Sequence, residues 1–209
     1  MKFPLHLRLR KKAHQDIAYA QDILVDNLYN FFSDAVLHGG TVIWRCYGGN
    51  RFSEDVDVYI STKQNIDNFF KHLENMGFLI IKKRIKENSL YSLLEFNRTK
   101  VRFEAVFAKK TDIILKEYET ADGSLINVYT LSPDNLLDEK IAAFIKRNKI
   151  RDLYDIFFLL RFVSKRRFIP IKKIVAVDVI DEENLKTLII SGLVPSSDEM
   201  KKYIEQWAR

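Results

Sequence analysis

The chain has 209 residues, of which 47% are hydrophobic and 30% charged, so it is long enough to bury a substantial core. No apolar run approaches the ~20 residues that cross a bilayer, and no apolar signal core follows the basic opening segment. We therefore expect a cytoplasmic protein without a membrane partner. The single cysteine excludes an internal disulfide, and the net charge of +6 is compatible with an anionic partner.

The first part of the chain alternates helical and strand-like patterns. Apolar spacing predicts helices over about 11–32, 42–47 and 64–76, the last of them ending at Gly77. Alternation and polar turns predict strands over 55–60, 78–85, 90–96, 101–107, 115–120 and 125–129. The three strands between 78 and 107 are typical of an antiparallel meander, and the last two form a hairpin.

The period changes to 3.6 from Ser132 onward, where a Ser-Pro-Asp start signal opens a helix. Further helices are predicted near 134–147, 152–163 and 197–207. The sequence therefore predicts an α+β domain over residues 1–131 and an all-helical domain over 132–209. A cleft between them is the natural place for a substrate.

Two aspartates lie two positions apart in the strand that begins at Asp55. The strand period places Asp55, Asp57 and Tyr59 on one face. Adjacent like charges cost free energy unless a cation neutralises them, and paired carboxylates suit Mg²⁺ bound to a nucleotide triphosphate. For a bare Asp-x-Asp, however, a solvated edge strand is the commoner interpretation.

A glycine turn precedes the aspartates by one short helix. Gly39, Gly40 and Thr41 would let backbone amides and a hydroxyl approach phosphate oxygens closely. This context favours the functional interpretation of Asp55 and Asp57.

A third acid, Glu104, lies in the middle of a predicted strand, on the same face as Arg102. It is either a third metal ligand or the base that takes a proton from an attacking hydroxyl. The alternative is an ion pair with Arg102 or Arg98, because buried acids are usually paired.

The predicted helices after residue 132 carry a second set of charges. Lys140 and Arg147, two helical turns apart, either extend to water or project toward a triphosphate. Asp152 and Asp155 fall on the predicted polar side of the next helix, where Asp152 is also a plausible first-turn acid and Asp155 a partner for Arg151.

A basic segment follows, comprising Lys165, Arg166, Arg167, Lys172 and Lys173 between Phe162 and Phe168. Such a segment is compatible with RNA phosphates and base stacking, or with a solvated helix end. His38 and Cys46 are interpreted as packing or positioning groups.

Two stretches, HGGTVIWRCYGGNRFSEDVDVYI and KIAAFIKRNKIRDLYDI, together resemble the AbiEii-type nucleotidyltransferase toxins of the polymerase-beta-like superfamily. The resemblance spans roughly residues 36–160. It depends on order and spacing: the glycine turn, Arg51 and Ser53 running into Asp55-x-Asp57, then Lys140, Arg147 and Arg151-Asp152-x-x-Asp155.

The resemblance implies a nucleotidyltransferase-like mixed sheet with flanking helices, and a site that binds Mg²⁺ or Mn²⁺ through Asp55 and Asp57. Glu104 matches the third strand acid of the superfamily, so the base is either Glu104 or Asp152. The nucleotide-binding residues that it implies are Gly39, Gly40, Thr41, Arg51, Ser53, Lys140, Arg147 and Asp155.

By the same resemblance, the enzyme moves a nucleoside monophosphate from a triphosphate to an acceptor hydroxyl. The acceptor implied is RNA, typically the 3′ end of a transfer RNA, and an antitoxin partner is encoded alongside. The alternatives are transfer to a protein or small molecule, and a noncatalytic module that binds nucleic acid or a partner protein.

Overall fold

The computed structural model of the protein describes residues 3–164 and 168–207. Its strands are β1 (Val36–His38), β2 (Asp55–Ile60), β3 (Leu79–Ile85), β4 (Ser89–Phe96), β5 (Thr99–Phe107), β6 (Ile113–Glu119) and β7 (Leu125–Leu131). Its helices are α1 (Leu5–Arg8), α2 (Lys12–Leu28), α3 (Gly39–Tyr47), α4 (Ile66–Asn75), α5 (Pro133–Arg147), α6 (Ile150–Leu159), α7 (Ile171–Val175), α8 (Asn184–Leu188) and α9 (Ser197–Trp207).

The strands form one mixed sheet in the order β3-β4-β5-β2-β1-β7-β6. Strand β2 is parallel to β5 and antiparallel to β1, which in turn is parallel to β7. The predicted meander is β3-β4-β5, and the predicted hairpin is β6-β7. The α+β class with a mixed sheet is therefore confirmed.

The two faces of the sheet differ in burial. On β2, β4 and β5, the side chains of Val56, Leu94 and Phe103 are buried against α2 and α4, and the Phe103 ring lies 5.4 Å from that of Phe69. Alternate residues of the same strands face the other side and are only partly buried. This second face carries the predicted acids.

Helices α5 and α6 pack on each other, on α3 and, through α5, on β7. Ser132 begins α5 as predicted, since its hydroxyl accepts a hydrogen bond from the amide of Asn135. Beyond Leu131 the described chain is helical apart from one bridge between Arg51 and Ile189. A single buried core includes residues from both sides of 131, so the two-domain division stays a prediction.

Several boundaries differ from the prediction. Helix α3 begins at Gly39 rather than Val42, and α6 spans 150–159 rather than 152–163. Strand β1 and the short helices α1, α7 and α8 were not predicted, because elements of three to five residues show too little periodicity. No helix in the described ranges is long and apolar enough to cross a membrane.

Candidate active site

The acidic residues converge because β2 and β5 run parallel in one register. Asp57 pairs with Glu104, and Asp55 pairs with Arg102. Neighbouring strands lie about 4.8 Å apart and paired residues share a face. Asp55, Asp57 and Glu104 therefore form a half-buried acidic patch on the second face of the sheet.

The electrostatics of this acidic patch are unfavourable. Burial raises the pKa of Asp55, and the charge of Asp57 raises it further, against the opposing effect of Arg102. Burial likewise raises the pKa of Glu104, with Asp57 and Asp55 adding to the shift. Within the described chain, the acids repel one another more than their neighbours compensate.

Arginines only partly offset this repulsion. Arg102 Nε lies 2.5 Å from Asp55 Oδ1, so Arg102 pairs with Asp55 rather than with Glu104. The pairing of Glu104 with Arg102 or Arg98 that was considered from the sequence does not form among the described residues. Arg151, at the start of α6, lowers the pKa of both Asp55 and Glu104, and sequence reasoning had paired it with Asp155 instead.

The aspartate pair fits a divalent cation. Oδ1 of Asp55 is buried and receives no hydrogen bond of good geometry from the described residues. Mg²⁺ typically takes one or two carboxylates and completes its shell with water and substrate phosphates. No group of three His, Cys, Asp or Glu side chains in the described ranges is arranged to hold a metal, so Glu104 as a third ligand stays a prediction.

The glycine turn lies directly against the acidic patch. His38 pairs with Asp57 in the sheet, so the next residue, Gly39, begins α3 beside that carboxylate. Gly39 has a φ of +75°, and a Cβ there would lie 2.2 Å from Asp57 Oδ2. A glycine is therefore required on both conformational and steric grounds.

Gly40 makes a second close approach. A Cβ at Gly40 would lie 2.4 Å from Arg51 Nη2 and 2.7 Å from Ser53 Oγ. The first-turn amides of α3 have no partners within the helix and carry its positive dipole end, which suits a phosphate. The hydroxyl of Thr41, however, donates to the backbone oxygen of Asp55 and is buried, so in this structure it holds the start of β2.

Asp155 forms the centre of a buried ion cluster. Arg51 donates to both of its oxygens, at 2.9 and 2.7 Å, and Lys140 Nζ lies 2.9 Å from Oδ2. Burial alone raises the pKa of Asp155, but Arg51 and Lys140 outweigh it and hold the pKa below its usual value. The predicted pair between Arg151 and Asp155 is not formed, and Lys140 does not extend to water.

Asp152 is also buried, and it is paired with Arg147. Arg147 Nε and Nη2 each donate to Asp152 at 2.6 Å. These hydrogen bonds raise the pKa of Arg147 despite partial burial, and the charges of Asp155 and Asp57 add to the shift. The side of α6 predicted to be polar thus faces inward, because cations on neighbouring segments neutralise its acids.

A further polar cluster borders the acidic patch. Tyr59 donates to Glu139 Oε1 at 2.6 Å, and His38 Nδ1 lies 3.0 Å from Glu139 Oε2. The rings of His38 and Tyr59 stack at 4.1 Å. This agrees with a positioning role for His38, whereas Glu139 gave no motif that sequence reasoning could detect.

The basic segment lies partly within the described residues. Lys165, Arg166 and Arg167 fall outside them. Lys172 and Lys173 are exposed on α7, and Phe168 is 89% exposed. The structure does not bring these three residues to the acidic patch, so their contact with RNA stays a prediction.

Comparison with solved structures identifies the fold. The chain superimposes on JHP933 from Helicobacter pylori with a TM-score of 0.65 and 19% identity, covering 96% of this chain and 91% of that one. It also superimposes on a candidate nucleotidyltransferase from H. pylori with a TM-score of 0.62 and 20% identity, covering 93% of each chain. The mixed sheet and the acidic patch therefore occur in a nucleotidyltransferase-like fold.

The family follows from a family model, "Nucleotidyl transferase AbiEii toxin, Type IV TA system", which matches residues 22–207. The chain belongs to this family of nucleotidyltransferase toxins. A search of curated proteins gave no match.

The first prediction concerns Gly39. In Gly39→Ala, the methyl group displaces the Asp57 carboxylate, and misplacing a reacting group by about 1 Å can cost about 100-fold in rate. We expect nucleotidyl transfer to fall by about that factor. Left-handed strain should also destabilise the fold by about 1 kcal/mol, measured by denaturant unfolding.

Gly48→Ala is the matched control. Gly48 has a φ of +70°, but nothing lies within 4 Å of its would-be Cβ. It should lose similar stability and keep its activity. Equal activity losses in the two variants would show that backbone strain, and not the contact with Asp57, explains the requirement for glycine.

The second prediction concerns pH. Because the folded-state pKa of Glu104 is raised, the folded state resists its ionisation, and stability falls as pH rises above the ordinary glutamate range of about pH 4. Glu104→Gln should therefore increase the free energy of unfolding at pH 7 in metal-free buffer. The gain should disappear below about pH 4, where the carboxyl is protonated in both states.

Thermal unfolding from pH 3 to pH 8 measures this effect. Glu95→Gln is the control, since Glu95 lies on the same sheet face in β4, opposite Lys100 and away from the aspartates. A Glu104→Gln variant that is less stable than the unmodified protein at pH 7 would contradict the repulsion argument.

Proposed function

We propose that this protein is a Mg²⁺- or Mn²⁺-dependent enzyme that transfers a nucleoside monophosphate from a triphosphate to a hydroxyl at the 3′ end of RNA. The observation that carries the proposal is the contact between the glycine turn and Asp57. It places the positive end of α3 beside two carboxylates that repel each other. This arrangement suits a metal-bound triphosphate.

Binding of the triphosphate would use few protein groups. Asp55 and Asp57 would hold the divalent ion, which when bound neutralises charge on the triphosphate. The first-turn amides of α3, at Gly39 and Gly40, donate to phosphate oxygens. Arg147 is the helical cation best placed to contact the nucleotide, because its side chain is 43% exposed and it interacts with the charge of Asp57.

Lys140 and Arg51 have a supporting role in this proposal. Both are committed to Asp155, and together they fix α5 and α6 against the segment that leads into β2. Arg51 also contacts Gly40 directly, with Ser53 beside it. The cluster thus holds the glycine turn in position from behind.

Glu104 is the better candidate for the base. Both oxygens of Asp152 accept hydrogen bonds from Arg147, whereas no ion pair engages Glu104 within the described ranges. A raised pKa improves the basicity of Glu104 once it is ionised. The acceptor oxygen attacks the α-phosphorus, its proton passes to Glu104, and the bond to pyrophosphate breaks.

The acceptor is proposed from the family and from charge. The family comprises toxins of type IV toxin–antitoxin systems, and a net charge of +6 favours a polyanionic acceptor over a protein. We propose a transfer RNA 3′ end as the acceptor, and a cognate antitoxin as the partner that counteracts the toxin.

A labelling experiment tests the proposal. The protein is incubated with each labelled triphosphate, Mg²⁺ and total RNA, and is compared with Asp57→Asn. The unmodified protein should label RNA with one or more nucleotides. Asp57→Asn should lose at least about 100-fold in rate, as is typical when a group that stabilises transition-state charge is removed.

Asp67→Asn is the control, because Asp67 is exposed on α4 and pairs only with Lys83 among the described residues. It should retain full activity. Label found on protein or on a small molecule instead of RNA would overturn the proposed acceptor. RNA binding without any transfer would favour the noncatalytic module.

A further inference from the structure

A row of paired residues leads from the acidic patch to the free edge of the sheet. Asp57 pairs with Glu104, Glu104 with Tyr91, and Tyr91 with Arg84. Paired residues share a face, so all four side chains lie on the acidic side of the sheet. Three strand spacings put Arg84 about 14 Å from Asp57.

The edge of this row is basic. Lys82 and Arg84 alternate along β3, and Lys86 follows in the turn. With Ser89 and Tyr91 they line a groove of about 310 Å³. Lys82 Nζ lies 5.6 Å from the centre of the Tyr91 ring, and all three cations are exposed. We call this groove the basic edge.

The basic edge carries unused charge. None of Lys82, Arg84 and Lys86 forms a salt bridge within the described ranges. Lys83, between two of them, points to the opposite face, where it lies 2.9 Å from Asp67 and 4.9 Å from the centre of the Phe70 ring. Free cations are thus confined to the face that carries the acidic patch.

We infer that the basic edge binds the backbone of the single-stranded 3′ end of an RNA acceptor, with Tyr91 stacking on a base and the terminal hydroxyl reaching Glu104. This inference rests on the proposed function and deepens it. Exposed cations beside an aromatic ring are the usual components of a single-strand site. The in-register row gives the strand a direction, from the edge toward Asp57.

Neither triphosphate binding nor protection of the sheet edge accounts for the basic edge as well. A nucleoside triphosphate bound at α3 would not reach cations about 14 Å away across the sheet. Lysines on an edge strand also prevent sheets from joining edge to edge, but that role does not depend on the face that they occupy. It therefore predicts no difference between Lys83 and its neighbours.

The test measures binding of a fluorescent single-stranded RNA oligonucleotide as a function of salt. Each phosphate contact to a single strand contributes about 0.7 to the slope of log K against log salt. Arg84→Gln should lower the slope by about that amount, and the triple variant Lys82→Gln, Arg84→Gln, Lys86→Gln by about 2. Lys83→Gln removes one charge from the same strand and should leave affinity and slope unchanged.

Two further variants examine stacking. Tyr91→Leu should weaken binding about tenfold, within the range for base–aromatic stacking, whereas Tyr91→Phe should not. Asp57→Asn should bind RNA as well as the unmodified protein does. Thermal unfolding of each variant verifies that the fold is retained.

Several results would overturn the inference: no RNA binding by the unmodified protein, an unchanged slope in the triple variant, or an equal loss in Lys83→Gln. RNA labelling by the triple variant with an unchanged KM for RNA would also overturn it, while leaving the proposed transferase in place. Conversely, RNA binding that depends on Arg84 in a protein that transfers no label would support the basic edge and refute the transferase.

Discussion

The parallel pairing of β2 with β5 is the constraint on which the site depends. It sets Asp57 directly beside Glu104 and brings Asp55 into the same half-buried patch, where burial and mutual repulsion oppose ionisation. Carboxylates held together in this way gain free energy from any bound cation. Strand β1 then delivers Gly39 to Asp57, so that the metal carboxylates and the phosphate-binding turn lie at one point.

The buried ion pairs around α6 explain how that point is held. Asp155 joins Arg51, which precedes β2, to Lys140 on α5, and Asp152 joins α6 to Arg147. Removing one partner of such a buried pair typically costs about 3–5 kcal/mol, since the other charge is left uncompensated. Motif residues that seemed to be nucleotide ligands thus divide into two groups. Some face the site, and others fix the elements that carry it.

The sequence predicted what local periodicity encodes. It gave the bounds of β2, the start of α5 at Ser132, the β6-β7 turn, and the shared face of Asp55 and Asp57. It did not reveal the pairing of Arg102 with Asp55, the burial of Asp152 and Asp155, or the row from Asp57 to Arg84. Each of these depends on strand order or helix packing between distant segments, which alternation within one segment does not determine.

Metal binding tests the central claim most directly. Metal-free protein is titrated with Mn²⁺ in the presence of a nonhydrolysable nucleoside triphosphate, and free Mn²⁺ is followed by electron paramagnetic resonance. We expect uptake that Mg²⁺ competes away, that Asp55→Asn and Asp57→Asn abolish, and that Asp67→Asn leaves intact. Uptake by Asp57→Asn equal to that of the unmodified protein would contradict the assignment of the aspartate pair as the metal site.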